Sequence, residues 1–112
     1  MVYKHKMFIE LDRDKIEREK KYDYIDMIRI IDNVFAERNI KKNGEGLYEG
    51  GSFVSLIPIV RFLSQNDWFI DNAKTWLWYE LEKEIEHPND DDYSVEDLLL
   101  EYRESINKQM VG

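Results

Sequence analysis

Seven carboxylates fall within thirteen residues at Glu80, Glu82, Glu84, Glu86, Asp90, Asp91 and Asp92, and two tryptophans, Trp76 and Trp78, stand just before them. Aromatic anchors carry much of the energy of protein interfaces, and a charged rim speeds encounter. If residues 75–81 form a strand, Trp76 and Trp78 share one face with Glu80. An indole patch bordered by acids, suited to a partner with a basic surface, is then one reading of these nine residues. The competing reading puts both indoles in the core, which leaves the acidic ridge of residues 80–92 as the contact surface.

Other chemistries find less support. Only His5 and His87 could supply imidazole, and with no cysteine there is no thiolate nucleophile, disulfide or cysteine zinc site. His87 with Asp90 and Asp91 or Asp92 has the composition of a surface cation site, but acidic loops with a nearby histidine are common. Residues 90–101 imitate part of a calcium loop, with Asp90, Asp92, Ser94 and Glu101 at ligand positions. Val95 replaces the glycine that loop requires, and no incoming helix precedes it. Gly44 and Gly46 are followed by Glu49 where a dinucleotide loop has its third glycine, and there is no Gly-Lys-Ser/Thr of a phosphate loop. Gly51-Ser52-Phe53 is not a nucleophile elbow. Carboxylate pairs are too frequent here to mark a glycosidase, which also needs a large cleft. The expectation is therefore no catalytic residue, no metal ligand and no cofactor.

The net charge of −8 is unevenly spread: residues 1–42 carry 11 basic against 9 acidic side chains, and residues 43–112 carry 5 against 15. Such a field repels nucleic acid and anionic lipid and favours basic partners. The first residues are too polar for a signal peptide, and the longest nearly apolar run, residues 53–60, is too short to span a bilayer. Together with the missing cysteine, these features predict a cytoplasmic protein, monomeric or homodimeric. Lysine, isoleucine and asparagine usage resembles that of an AT-rich bacterial or phage genome.

The elements that must position the acids follow from periodicity. At 112 residues with 43% hydrophobic content, one domain with one core is expected. Residues 2–11 alternate as a strand, and residues 12–21 read as a solvated helical turn with i,i+4 charge pairs such as Arg13 with Glu17. Tyr24, Ile28, Ile31 and Phe35 fall at helical spacing over residues 23–39, with Asp23 as N-cap. Turn chemistry surrounds a short strand at Leu47 and Tyr48, opened by Asn43-Gly44. A second helix spans residues 52–65 with Leu56, Ile57, Val60, Phe62 and Leu63 inward, its start set near Ser55 by Pro58.

For residues 75–81 the alternation of Trp76 and Trp78 against Leu77, Tyr79 and Leu81 favours a strand. The i+4 steps Ala73, Leu77, Leu81 and Ile85 keep a mainly α alternative, helical over residues 72–87, open. Residues 88–93 read as an acidic loop. Ser94 to Asp97 resembles a capping box, opening a last helix with Val95, Leu98, Leu99, Tyr102 and Ile106 as its apolar stripe.

The expected fold is an α+β two-layer sandwich over residues 1–112, a small mostly antiparallel sheet with about three helices in the order β-α-β-α-β-α. The expected function is non-catalytic protein binding. Alternatives are a nucleic-acid-mimicking inhibitor of a DNA-binding or defence enzyme from a phage or mobile element, and a small metal-dependent enzyme.

Overall fold

Strand β1, His5–Leu11, is the centre of the sheet, and its alternation sets the two layers: Met7, Ile9 and Leu11 are buried on one face. The computed structural model describes residues 2–111, with side chains through residue 104. Beside β1 on one side lie β3, Leu47–Glu49, and the two-residue β2, Lys41–Lys42. On its other side lie β4, Ala73–Leu81, and then β5, Tyr93–Asp97. The order β2-β3-β1-β4-β5 is antiparallel throughout, so β2 and β5 are the edges. The β2–β3 hairpin closes through the glycine loop. Gly46 holds φ +76°, and a Cβ there would overlap the Ile9 carbonyl oxygen, so only glycine lets the loop lie this close to β1.

Strand β4 settles the divided reading of the aromatic segment: residues 73–81 extend along β1, pairing Trp78 with Met7 and Trp76 with Ile9. The mainly α alternative is not favoured. Residues 82–87, good helix sequence in isolation, are irregular, because Tyr93 pairs back onto Leu81 and the chain must turn between them.

The described residues form five helices: α1, Arg13–Glu19; α2, Tyr24–Ala36; α3, Phe53–Ser64; α4, Asp67–Ile70; and α5, Leu98–Val111. Asp23 caps α2 by accepting from the Asp26 N–H at 3.0 Å, as the sequence predicts. Ser52 and Ser55 form a reciprocal capping box that starts α3 at Phe53. That corrects the start near Ser55. Pro58 lies in the second turn, and the Val54 carbonyl that it cannot serve sits at the exposed end of the helix. Phe62, expected inward, is exposed, and Ile59 takes the core position between Leu56 and Leu63.

The largest correction concerns residues 94–97. They are strand, not the first turn of a helix, and Asp97 is the side chain that caps α5, accepting from the Leu100 N–H at 3.0 Å. Val95 therefore leaves the expected helical stripe and is exposed. Leu98 and Leu99 keep their place in the core, Tyr102 is half-buried, and Ile106 lies outside the described side chains.

The core fills the space between the sheet and the helices. Met7, Ile9, Tyr48, Trp76 and Trp78 meet Met27, Ile31 and Phe35 of α2, Leu56, Ile59 and Leu63 of α3, Phe69 of α4 and Leu98 and Leu99 of α5. The fold is thus the expected α+β sandwich, with two more strands and two more short helices than the periodicity shows.

Candidate protein interface

Both tryptophans belong to the core. Trp76 is 1% exposed, its ring edge-on to Phe69 with centroids 5.0 Å apart and its Nε1–H directed at the Met7 sulfur. Trp78 is 7% exposed, donates its Nε1–H to His5 Nδ1 at 3.3 Å and stacks on Phe53. An indole N–H buried without a partner would cost energy, and here each has one. The aromatic half of the expected patch is therefore not on the surface. Its place is taken by a residue the periodicity had assigned to no surface role: Phe53, 59% exposed at the start of α3, beside the also exposed Val54.

The acids do form a surface feature. Glu80, next to last in β4, is half-buried, Glu82, Glu84 and Glu86 are exposed along the irregular connection, and Asp90 to Asp92 make a single 3-10 turn before β5. The Asn89 and Asp92 side chains fix that turn, with Asn89 Oδ1 accepting from the Asp91 N–H and Asp92 Oδ2 from the Asn89 N–H. Glu96 and Asp97 on β5 extend the run to nine carboxylates on one hairpin, opposed by Lys83 alone. Among the described residues none of the nine is in an ion pair; the four ion pairs join Lys6–Glu49, Arg13–Glu17, Arg29–Asp26 and Lys42–Asp32. At the foot of α5 the Glu101 carboxyl is held above its usual range by partial burial, then by the charges of Glu96, Asp97 and Glu104. The neighbouring acids add to the effect of burial in the same direction, each disfavouring a further negative charge.

The hairpin is nevertheless firmly seated. Tyr93 is buried, its hydroxyl donates to the Tyr3 carbonyl at 2.8 Å, and Lys6 Nζ lies 4.5 Å over its ring. The Ser94 hydroxyl donates to the Glu80 carbonyl. Residues 93–97 being a strand, the calcium-like spacing of residues 90–101 does not form a loop. Among the described residues, no group of three histidine, cysteine, aspartate or glutamate side chains is arranged to hold a metal ion. His5 is engaged by Trp78.

Three concavities bear on the site, one of them, of about 400 Å³, at the acidic connection itself, where Lys4 and Lys83 line it together with Glu84 and Glu86. A cleft of about 180 Å³ opens between α3 and the β4–β5 hairpin, with Phe53, Ile57, Val60, Trp78 and Leu98 as its apolar lining and Glu80, Ser94 and Glu96 as its polar one. A groove of about 430 Å³ lies between β1 and the start of α2, but its Arg13 and Lys42 are already engaged by Glu17 and Asp32, and Glu10 and Glu45 balance them. The cleft combines apolar walls with uncompensated charge, as a site for an amphipathic cation requires. Its aromatic member was missed from sequence because Pro58 set the helix start near Ser55, which left Phe53 outside the helix although it stands four and seven residues before Ile57 and Val60 on one face.

No helix among the described residues is long and apolar enough to cross a membrane. No family model, curated protein or solved structure matches the chain.

Proposed function

We propose that this protein is a non-catalytic binding protein that presents its acidic β4–β5 hairpin, Glu80 to Asp97, to a partner with a basic surface. The single observation that supports the reading is that, among the described residues, none of these nine carboxylates is in an ion pair and Lys83 is the only basic side chain on the hairpin, while the four ion pairs all lie elsewhere. Gathering like charge on one hairpin opposes folding through self-repulsion, which is relieved when a cationic surface docks. The absence of cysteine fits action in a reducing cytoplasm.

The test is capture on the immobilised full chain from a bacterial lysate at about 0.05 M and about 0.5 M salt, where screening lengths differ several-fold. A partner retained only at low salt, and lost when Glu82, Glu84 and Glu86 are changed to Gln, is the expected result. A captured protein that duplex DNA displaces would sharpen the reading to mimicry of a nucleic-acid backbone. Failure to retain any protein in a salt-dependent way would overturn it.

A further inference from the structure

We propose that the outer edge of β5 accepts an extended basic segment of the partner as a sixth strand, with one lysine or arginine of that segment entering the cleft beside Phe53. The inference rests on the hairpin being the binding surface, and adds how the partner is gripped.

The first observation is the open edge itself. In an antiparallel ladder, residues alternately turn their N–H and C=O toward one neighbour and the other. The Leu81 N–H donates to the Lys4 carbonyl, so the odd-numbered residues of β4 turn toward β1 and the even-numbered Trp78 and Glu80 turn toward β5, where Glu96 and Ser94 oppose them. Val95 must then turn both its N–H and its C=O outward, flanked by the Tyr93 C=O and the Asp97 N–H. A strand laid along this edge finds four backbone partners. Among the described residues β5 pairs with β4 alone and Val95 is 51% exposed, while Leu98 and Leu99 turn the chain into the core.

Natural edge strands are guarded by lysine, proline, bulges or extreme shortness. Strand β5 has five residues, no lysine, proline or glycine, and an unbroken register with β4. Its guards are Glu96 and Asp97 with the acids of the preceding connection. These repel a second copy of this chain, which brings the same charge, and attract a basic strand.

The second observation is independent of the edge. On the helix side of β5 the cleft lined by Phe53, Trp78, Ile57 and Leu98 ends at Glu80 and Glu96. A lysine or arginine projecting from an added strand would lay its methylenes on the Phe53 ring and bring its charge to the two carboxylates. On the opposite side of the sheet, Val95 and Tyr79 offer apolar neighbours to the alternate residue. The occupant is thus an extended segment with basic and apolar residues in alternation, recognised by backbone pairing and alternate side chains.

The experiment measures fluorescence anisotropy of a labelled short peptide alternating lysine and valine against the full chain at low salt. Val95→Pro removes the outward N–H and leaves the bonds to β4 intact, a placement that edge strands tolerate. It is expected to weaken binding several-fold, up to about tenfold, through the loss of one backbone hydrogen bond, with an unchanged circular dichroism spectrum. The same peptide N-methylated on the edge-facing amides is expected to lose binding to the unaltered protein, which keeps the test decisive if Val95→Pro misfolds. E80Q/E96Q is expected to weaken binding while leaving the melting temperature at or above that of the parent.

Binding indifferent to both Val95→Pro and N-methylation would overturn the strand addition and leave the acidic-hairpin reading standing, because association would then be through charge alone. No binding of the peptide, with salt-sensitive capture of a folded protein still observed, would likewise overturn the strand addition alone. A dimer of the free protein in sedimentation, abolished by Val95→Pro, would assign the edge to a second copy and overturn the basic partner.

Discussion

At the β2 edge of the sheet, Lys42 reaches Asp32 at 3.1 Å, the Tyr48 hydroxyl donates to the same carboxylate at 2.6 Å, and Lys6 and the Asn43 amide hold the buried Glu49. At the β5 edge, nine carboxylates lie along one hairpin with no such partner among the described residues. The two edges belong to one sheet and share one core, yet charge is spent on the fold at the first and kept for solvent, or for a partner, at the second. A count of acids treats Asp32 and Glu96 alike; their surroundings give them opposite roles. Removing Asp32 leaves a buried hydroxyl and a lysine unpaired, whereas removing Glu96 leaves nothing unsatisfied.

The comparison can be broken in several ways. The core common to both edges should respond most strongly: Trp76→Ala is expected to lose about 3–5 kcal/mol in urea unfolding, the range for removing a large buried side chain. A cost below about 1 kcal/mol would show that the aromatic strand does not hold the two layers together.

Next is the β2 edge, where Asp32→Ala is expected to cost about 1.5–3 kcal/mol, since Tyr48 is 2% exposed and loses a charged acceptor. A cost no larger than that of E96Q would erase the distinction between the edges.

An alkaline titration sharpens the same point. Burial, then the hydrogen bond to Asp32 and its charge, push the Tyr48 phenol well above its ordinary value. The unfolded chain releases that proton near the ordinary tyrosine value of about 10, and the folded protein retains it. Stability from this group is therefore full below about pH 10 and falls as pH rises beyond it, by about 1.4 kcal/mol per pH unit for one proton. Urea midpoints above pH 10 should fall less steeply for Tyr48→Phe than for the parent; equal slopes would refute the assignment.

The smallest effect belongs to the β5 edge. The Glu101 carboxyl is held above its usual range, so the folded state favours its protonated form and loses stability as pH rises through the carboxylate range. E101Q is expected to raise the melting temperature at neutral pH by about 1–2 °C, as for relief of a solvent-screened repulsion. The gain should vanish near pH 3, where the parent carboxyl is protonated too; a loss at neutral pH would mean that Glu101 is paired after all.

Much of this architecture is legible along the chain. Met7, Ile9 and Leu11 alternate, Tyr24 to Phe35 recur at helical spacing after a capping Asp23, and Trp76 and Trp78 alternate with Leu77 and Tyr79, because burial on one face imposes a period on any strand or helix that supplies it. Ser94 to Asp97 misled because a serine followed three residues later by an acid satisfies the local chemistry of a helix start equally well. What decides against it is Tyr93 pairing with Leu81 across an eleven-residue connection, and that pairing leaves no local pattern. The acids were legible as a cluster, but that none of them is in an ion pair among the described residues was not, since Lys41, Lys42 and Lys6 could in principle have folded against them.

The sequence by itself determined the single α+β layer pair, the central aromatic strand and the gathering of negative charge toward the C-terminal half, because period, capping and composition are properties of neighbours along the chain. Only the tertiary structure decided that both indoles face inward, that Phe53 and Val95 face out, and that β5 is an edge with open backbone. Those facts depend on which strand lies beside which and which helix covers which face, and such contacts join residues too far apart in sequence for local pattern to encode.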